Sequence, residues 1–400
     1  MGTILKALTP AYGGYTIARD EKVIFIRGAI PGEVVEVEIA EKKRDYSVAQ
    51  ARAVIEPSEH RVDPKCPVFG VCGGCQLQFI TYEKQLSMKD EILLDACKRL
   101  GGFEIDLDSA LSGDQWHYRV RGQFKVSKDD TIGFFRSSSR DVVVFEACPL
   151  MVHEINTLLK QIKEQNIVSN LKEIHITAGD APMALLKGRD YDTGFFENFH
   201  ATGFSGLCYN ESVCSGNLFS GFPMDDLHYT VSPMTFLQSH WNLNTRLVNF
   251  VVHEMMPMEG KRVLDLYAGA GNFSLKAAVH ADEVVAVEEN TFAVEDGKRN
   301  CSLNKIRNCR FVKSSAEKFR IKKKFDIIIL DPPRPGLTSI VLKKILDNPS
   351  DMIVYLSCNP STLARDLKKF KEKYEVCSVR QVDLFPNTFH IESVAFLQLK

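Results

Sequence analysis

The chain has 400 residues, 44% hydrophobic and 25% charged, with a formal net charge of -1. That length exceeds one ordinary core and predicts two or three domains. The charge balance excludes a uniformly basic nucleic-acid coater, though not a local basic groove.

No apolar run approaches the roughly 18 residues of a membrane span, and MGTILKALTP lacks a signal-peptide core. A cytoplasmic protein is expected, with no membrane and no protein partner implied. Eleven cysteines without a secretion signal argue against a disulfide framework and for metal binding or catalysis.

Residues 1–57 alternate apolar and polar residues at period two, as in KVIFIRGAI and EVVEVEIAE, punctuated by Gly13-Gly14 and Pro31-Gly32. Short strands at this spacing predict a small OB-like β-barrel. EPSEHRVDPKC reads as its exit linker. Residues 1–60 carry 8 Lys/Arg and 9 Asp/Glu, so an RNA-binding face there depends on arrangement, not excess. Residues 58–230 predict a mixed α+β central domain. It contains a cysteine-rich loop, a helix over 82–100 expected to pack on the C-terminal domain, and strand-like runs such as QFKVS and DVVVFEA. The stretch 190–226 is too weakly patterned to assign.

CPVFGVCGGC places Cys66, Cys72 and Cys75 at C-x5-C-x2-C, and Cys148 follows far downstream in a Cys-Pro. Zinc sites more often come as two CxxC pairs. A compact triplet with a distant fourth thiolate is closer to a cubane iron-sulfur site, and it lacks the CxxxCxxC spacing of radical enzymes. Cys97, Cys208, Cys214, Cys301, Cys309 and Cys377 show no metal spacing and read as ordinary residues.

From 231 to 400 the runs VLDLY, VVAVE, RFVKS, FDIIIL, MIVYLS and VCSVRQVDL alternate with helical segments, and SVAFLQL closes the chain. This predicts an α/β, doubly wound, Rossmann-like sheet. The link before the last strand has no helical pattern, which predicts an antiparallel final strand. LDLYAGAGNFSL is a strand, a glycine turn and a helix start, with Gly269, Gly271 and then Ser274 where a dinucleotide fingerprint wants Gly or Ala. Glu288, about twenty residues on, can bind ribose hydroxyls. An adenosine ligand without pyrophosphate fits, and S-adenosylmethionine is the obvious one.

Asp331, Cys358 and Glu392 fall at or beside the ends of successive strands, the edge where open α/β sheets bind ligands. Methyl transfer to an aromatic carbon explains the thiol. Uracil C5 is a poor nucleophile until a thiolate adds to C6, and a base must later remove the C5 proton. Cys358 is the expected nucleophile, its thiolate favoured by the helix starting near Ser361. Glu392 is the expected base. Asp331, or the backbone at Pro332 and Pro333, would grip the pyrimidine edge.

LDLYAGAGNFSL, DPPRPGL, YLSCNPSTLARDL and DLFPNTFHIESV resemble, in order and spacing, the RNA uracil-5 methyltransferases. GGYTIARDEKVIFIRGAIPGEVVEVEI is similar to the TRAM domain, and FLQSHWNLN to the family's FxQxN segment. The resemblance implies a class I methyltransferase domain, Cys358 as nucleophile and Glu392 as base. It implies S-adenosylmethionine contacts at Gln238, Tyr267, Asn272, Glu288, Ser315 and Asp331, and a [4Fe-4S] cluster on Cys66, Cys72, Cys75 and Cys148. Thr16, His240 and Asn387 depart from the family's usual residues. The implied substrate is a uridine flipped from structured RNA, with 23S rRNA first and the tRNA T-loop as the alternative. A cytosine-5 methyltransferase and a non-catalytic RNA-binding module are the rival classes. Lys42, Lys43, Arg44, Arg119 and Arg121 are candidate phosphate contacts, with Trp116 and Tyr118 as stacking faces.

Overall fold

A computed structural model describes residues 3–189 and 194–400. Of the weakly patterned stretch, residues 190–193 lie outside the described residues. The period-two alternation at the N-terminus produces six strands in the order Thr3–Lys6, Val34–Lys42, Tyr46–Glu56, Val23–Arg27, Tyr15–Arg19 and Thr9–Ala11. All neighbours are antiparallel except Val23–Arg27 against Tyr46–Glu56. Alternate residues point inward, so Ala18, Ile24, Ile26, Val35 and Val37 form a small core of their own.

A second sheet has seven strands in the order Val142–Val144, Ile132–Phe135, Arg121–Val126, Leu171–Thr177, Met183–Gly188, Gly206–Tyr209 and Val213–Gly216. Helix His153–Gln165 buries Ile155, Leu158, Leu159 and Ile162 at i, i+3, i+4, i+7 spacing. Cys208 and Cys214, expected as ordinary residues, are opposite each other on paired strands and form a disulfide. A six-residue separation across a hairpin carries no metal-type signature, which is why the spacing did not mark the pair.

The third sheet has eight strands: Cys309–Lys313, Glu283–Glu288, Arg262–Leu266, Ile327–Leu330, Met352–Ser357, Glu392–Leu399, Tyr374–Val382 and Asp108–Leu111. The first five run parallel, and Glu392–Leu399 is antiparallel to both neighbours. Val/Ile/Leu-rich strands such as Ile327–Leu330 are buried throughout because apolar clusters cover both faces. Parts of the span 58–230 pack here. The expected helix over 82–100 is an α-helix, Tyr82–Ala96, continued by the π-helical Cys97–Gly101, and Leu93 and Cys97 join the same apolar cluster as Leu363 and Leu367 of helix Pro360–Phe370. Strand Asp108–Leu111 adds to the sheet edge. The hairpin Ser220–Met224 and Leu227–Val231 packs into the cluster that also holds Trp241 and Val263. Among the described residues no helix is long and apolar enough to cross a membrane.

Candidate active site

Strand Arg262–Leu266 ends in a turn that bares backbone to a ligand. Gly269 and Gly271 have φ of 54° and 94°, and a Cβ at Gly269 would meet nothing within 4 Å. Tyr267 also has a positive φ, 66°, which a bulky residue adopts only when its surroundings enforce it. Its N–H and that of Ala268 both donate to the Val287 carbonyl, at 3.0 and 3.1 Å. Glu288, at the end of the next strand, accepts from Gly269 N–H at 3.0 Å and Asn290 N–H at 2.8 Å. A carboxylate has lone pairs to spare for two ribose hydroxyls.

Beneath the turn, buried Asp265 accepts from the Ser274 hydroxyl at 2.5 Å, while its Oδ1 has no partner. Burial pushes its carboxyl up to about 7, with Asp331 and Glu288 adding to the rise. An open glycine turn, an ordered acid and an orphaned buried oxygen fit an adenosyl-amino-acid ligand. Asn272 exchanges amide hydrogen bonds with Asn244, at 2.8 and 2.9 Å, tying the turn to helix Trp241–Glu254. Gln238 is half-buried on the loop before that helix. The Ser315 carbonyl accepts from the N–H groups of Lys318 and Phe319, closing the turn after Cys309–Lys313.

Asp331, Cys358 and Glu392 converge at the neighbouring strand ends. Burial first, then Glu392 and Asp331, push the Cys358 thiol up to about 11, and Arg334 opposes them. Burial and then Asp331 raise Glu392 to about 8, against Arg334 and Lys89. Burial alone lifts Asp331 to about 6. The helix start near Ser361 is therefore only one of several influences on this thiol. Two carboxyls and desolvation outweigh the helix, whose first-turn Ser361 N–H is already taken by the Asn359 side chain at 3.0 Å.

Glu392 has a measurable consequence for stability. The folded protein keeps a proton on it up to about pH 8, whereas an ordinary glutamate releases it near 4.5. Folding thus binds a proton across that window, and Glu392 makes stability fall as pH rises through it. Glu392→Gln is expected to melt progressively above the parent as pH goes from about 5 to 8, reaching about 1 kcal/mol or more and a few degrees in Tm. Parallel melting curves at every pH would contradict this.

The loop carrying Glu392 is held from outside its own sheet. Asn387, with φ of 66°, accepts from Gln76, Leu77 and Gln85 and donates to Gln85 and to the Gln115 carbonyl. Lys89 bonds Asp383 at 2.6 Å and the Phe385 carbonyl at 3.3 Å. Tyr118 donates to the Pro386 carbonyl and stacks on His240, so it is core and not the expected stacking face. His240 caps its helix by accepting from Leu243 N–H, and Thr16 donates to the Ala29 carbonyl. Arg121, expected at a phosphate, instead clamps the carbonyls of Pro233 and Thr235. Sequence reading missed Asp265, Gln85, Lys89, Arg334 and His390; the last two sit inside the DPPRPGL and FPNTFHIE runs, the only signal for them.

A cavity of about 1650 Å³ opens beside this crevice, between the N-terminal and seven-stranded sheets. Arg27, Arg52, Arg61, Arg119, Arg136 and Lys187 line it, against the acids Asp63 and Glu211. Lys43 lies outside it, paired with Glu41 at 2.5 Å. Cys66, Cys72, Cys75 and Cys148 all face this cavity. Burial drives the Cys75 thiol to about 12, with Cys148, Cys72 and Cys66 near enough to contribute. Cys72 Sγ accepts from Gly74 N–H at 3.4 Å. Yet among the described residues no group of three or more His, Cys, Asp or Glu side chains converges tightly enough to hold a metal ion. The thiols are gathered, but they are not disposed as a ligand set.

Residues 223–400 match the tRNA (Uracil-5-)-methyltransferase family. The chain is 33% identical to a 23S rRNA (uracil(1939)-C(5))-methyltransferase RlmD of Legionella pneumophila, over 97% of this chain and 95% of that one. It is 32% identical to an uncharacterized RNA methyltransferase of Aquifex aeolicus, over 97% and 96%. The crystal structure of Pyrococcus abyssi tRNA (uracil-54, C5)-methyltransferase with S-adenosyl-L-homocysteine superposes with a TM-score of 0.81, at 26% identity, over 98% of this chain and 99% of that one. With a glycine turn and a thiol–carboxylate crevice at one sheet edge, and likeness along nearly its whole length, the chain belongs to the RNA uracil-5 methyltransferase family.

Proposed function

We propose that the protein methylates C5 of a uridine in 23S rRNA, using Cys358 as nucleophile and Glu392 as base. The carrying observation is that these two residues and Asp331 share one crevice beside the glycine turn. S-adenosylmethionine, when bound, supplies a methyl group on a sulfonium. Tyr267, Asn272, Glu288, Ser315 and Gln238 would hold it, with Asp265 below. Asp331 would orient the ring edge.

Cys358 gives up its proton to solvent as the uracil enters and its sulfur bonds to C6, sending the C5=C6 pair into the enolate. C5 then takes the methyl group, and the carbon–sulfur pair stays on the departing sulfide. Glu392, its own proton released to solvent beforehand, removes the C5 proton as a carboxylate. The C–H pair restores C5=C6 and expels the Cys358 thiolate. A carboxyl held near neutrality suits this role, because it can gain and lose the proton at working pH.

The basic cavity would take the RNA backbone, with the N-terminal sheet acting as a TRAM-type module. A [4Fe-4S] cluster on Cys66, Cys72, Cys75 and Cys148 is supported by their lining one cavity, though not by how close they stand in the fold. Iron and acid-labile sulfide in anaerobically prepared protein would test it. No catalytic step passes through the cluster.

The deciding experiment gives the protein labelled S-adenosylmethionine with unmodified 23S rRNA or tRNA and identifies the labelled nucleoside. The reading expects 5-methyluridine in 23S rRNA. The same nucleoside in tRNA would keep the chemistry and replace the substrate, an outcome the Pyrococcus likeness favours. 5-Methylcytidine, or no label, would overturn the reading.

A further inference from the structure

The N-terminal sheet reaches into the catalytic crevice. Tyr12 sits on the turn between Thr9–Ala11 and Tyr15–Arg19, followed by Gly13 and Gly14 with φ of 98° and 79°. The turn is pressed onto the Glu392 loop: a Cβ at Gly14 would lie 2.9 Å from the Gln76 Cβ and 3.6 Å from the Phe389 Cβ. The Tyr12 ring meets Phe389 edge-on, with centroids 5.5 Å apart at 87°. Phe389 lies on His390 at 4.3 Å. Arg334 Nη2 in turn donates to His390 Nδ1 at 3.0 Å. A continuous run of contacts thus leads from the N-terminal turn to the Arg334 guanidinium, whose charge bears on the thiol.

We propose that Tyr12 is a positioning residue for methyl transfer: through Phe389 and His390 it fixes Arg334 beside Cys358 and Glu392. The inference rests on Cys358 being the nucleophile. His390 can accept from Arg334 only as neutral imidazole, and burial followed by the Arg334 charge holds it near 4. Arg334 is exposed, and among the described residues its guanidinium hydrogen-bonds to His390 alone. The groups facing the crevice are Asp331, Glu392, Lys89, Arg334 and the Tyr12 phenol, which itself feels Arg334, Cys358 and Glu392. Arg334 is the cation that favours the Cys358 thiolate, so a wandering guanidinium weakens the nucleophile. The N-terminal sheet would then be part of the catalytic apparatus as well as a grip on RNA.

The test uses the full-length protein with Tyr12→Ala, Tyr12→Phe, Arg334→Gln and the double variant Tyr12→Ala/Arg334→Gln, reading kcat and the KM for RNA. Misplacing a reacting array by ~1 Å costs up to about 10²-fold. Tyr12→Ala is therefore expected to lower kcat by about tenfold or more while the KM for RNA moves less than about threefold. Tyr12→Phe, which keeps the ring, is expected to restore most of kcat. The double variant should be no slower than Arg334→Gln alone, because both act through one group. Normal kcat in Tyr12→Ala, a rise in KM alone, or additive losses in the double variant would each overturn the proposal. Cys358→Ala is run alongside. If it stays active, the nucleophile reading falls; if it is dead while Tyr12→Ala is normal, only this inference falls.

Discussion

Cys358→Ala is expected to lose methyl transfer by about 10⁴-fold or more, the scale seen when a covalent nucleophile is removed. It should still bind S-adenosylhomocysteine as the parent does. The two sites are on different strands: the glycine turn follows Arg262–Leu266, and Cys358 follows Met352–Ser357. The substitution removes one partly exposed sulfur at a crevice, so stability should change by no more than about 1 kcal/mol. Cys358→Ser is expected to be nearly as inactive, since a hydroxyl beside Glu392 and Asp331 is a far poorer nucleophile than a thiolate. Isothermal titration with S-adenosylhomocysteine separates lost chemistry from lost binding.

The second large effect is on the fold. Lys89 and Asp383 form an ion pair at 2.6 Å with side chains 2% and 0% exposed. Lys89→Met leaves a buried carboxylate without its counter-charge, which costs about 3–5 kcal/mol, a Tm fall of about 5 °C for a chain of this length. It also frees the Phe385 carbonyl and unpins the loop leading to Glu392, so activity should fall with stability. Lys89→Met/Asp383→Leu removes both charges and should recover much of the lost Tm, because two apolar groups leave nothing unpaired. Recovery of Tm without recovery of activity would identify the pair as a positioning device for the loop. A single variant as stable as the parent would show that the carboxylate finds another partner or a proton.

The C-terminal sheet was legible because buried parallel strands are continuous apolar runs separated by helical periods. The strand-end residues followed from topology, since ligands gather at that edge. Other features left little trace in the residues. Strand Asp108–Leu111 is four residues long and half polar, and it gains its place only from the Tyr374–Val382 edge it joins. In helix Tyr82–Ala96, Gln85 and Lys89 are buried, yet their polarity reads as a solvent face, because the partners they meet lie some 300 residues away. Tyr12 looked like one more barrel residue, since pattern cannot say which turn of a small sheet touches another domain. Spacing singled out four cysteines that line one cavity, but it carries no distances that would make them ligands. The influences on the Cys358 thiol were only half visible for a similar reason. A helix start is visible in sequence, whereas the two carboxyls that oppose it meet Cys358 only in the fold.

The most direct test of the central claim is to trap the covalent step. Glu392→Gln keeps the side-chain shape and cannot accept the C5 proton, so Cys358 should remain bonded to C6 after the methyl group has moved. Enzyme, unmodified RNA and S-adenosylmethionine would be mixed, denatured and resolved by mass on a gel, with the cross-linked peptide sequenced. The account predicts a stable adduct joining Cys358 to a methylated uridine in Glu392→Gln, and none in Cys358→Ala/Glu392→Gln. Rapid turnover by Glu392→Gln without an adduct, or an adduct on another residue, would contradict it.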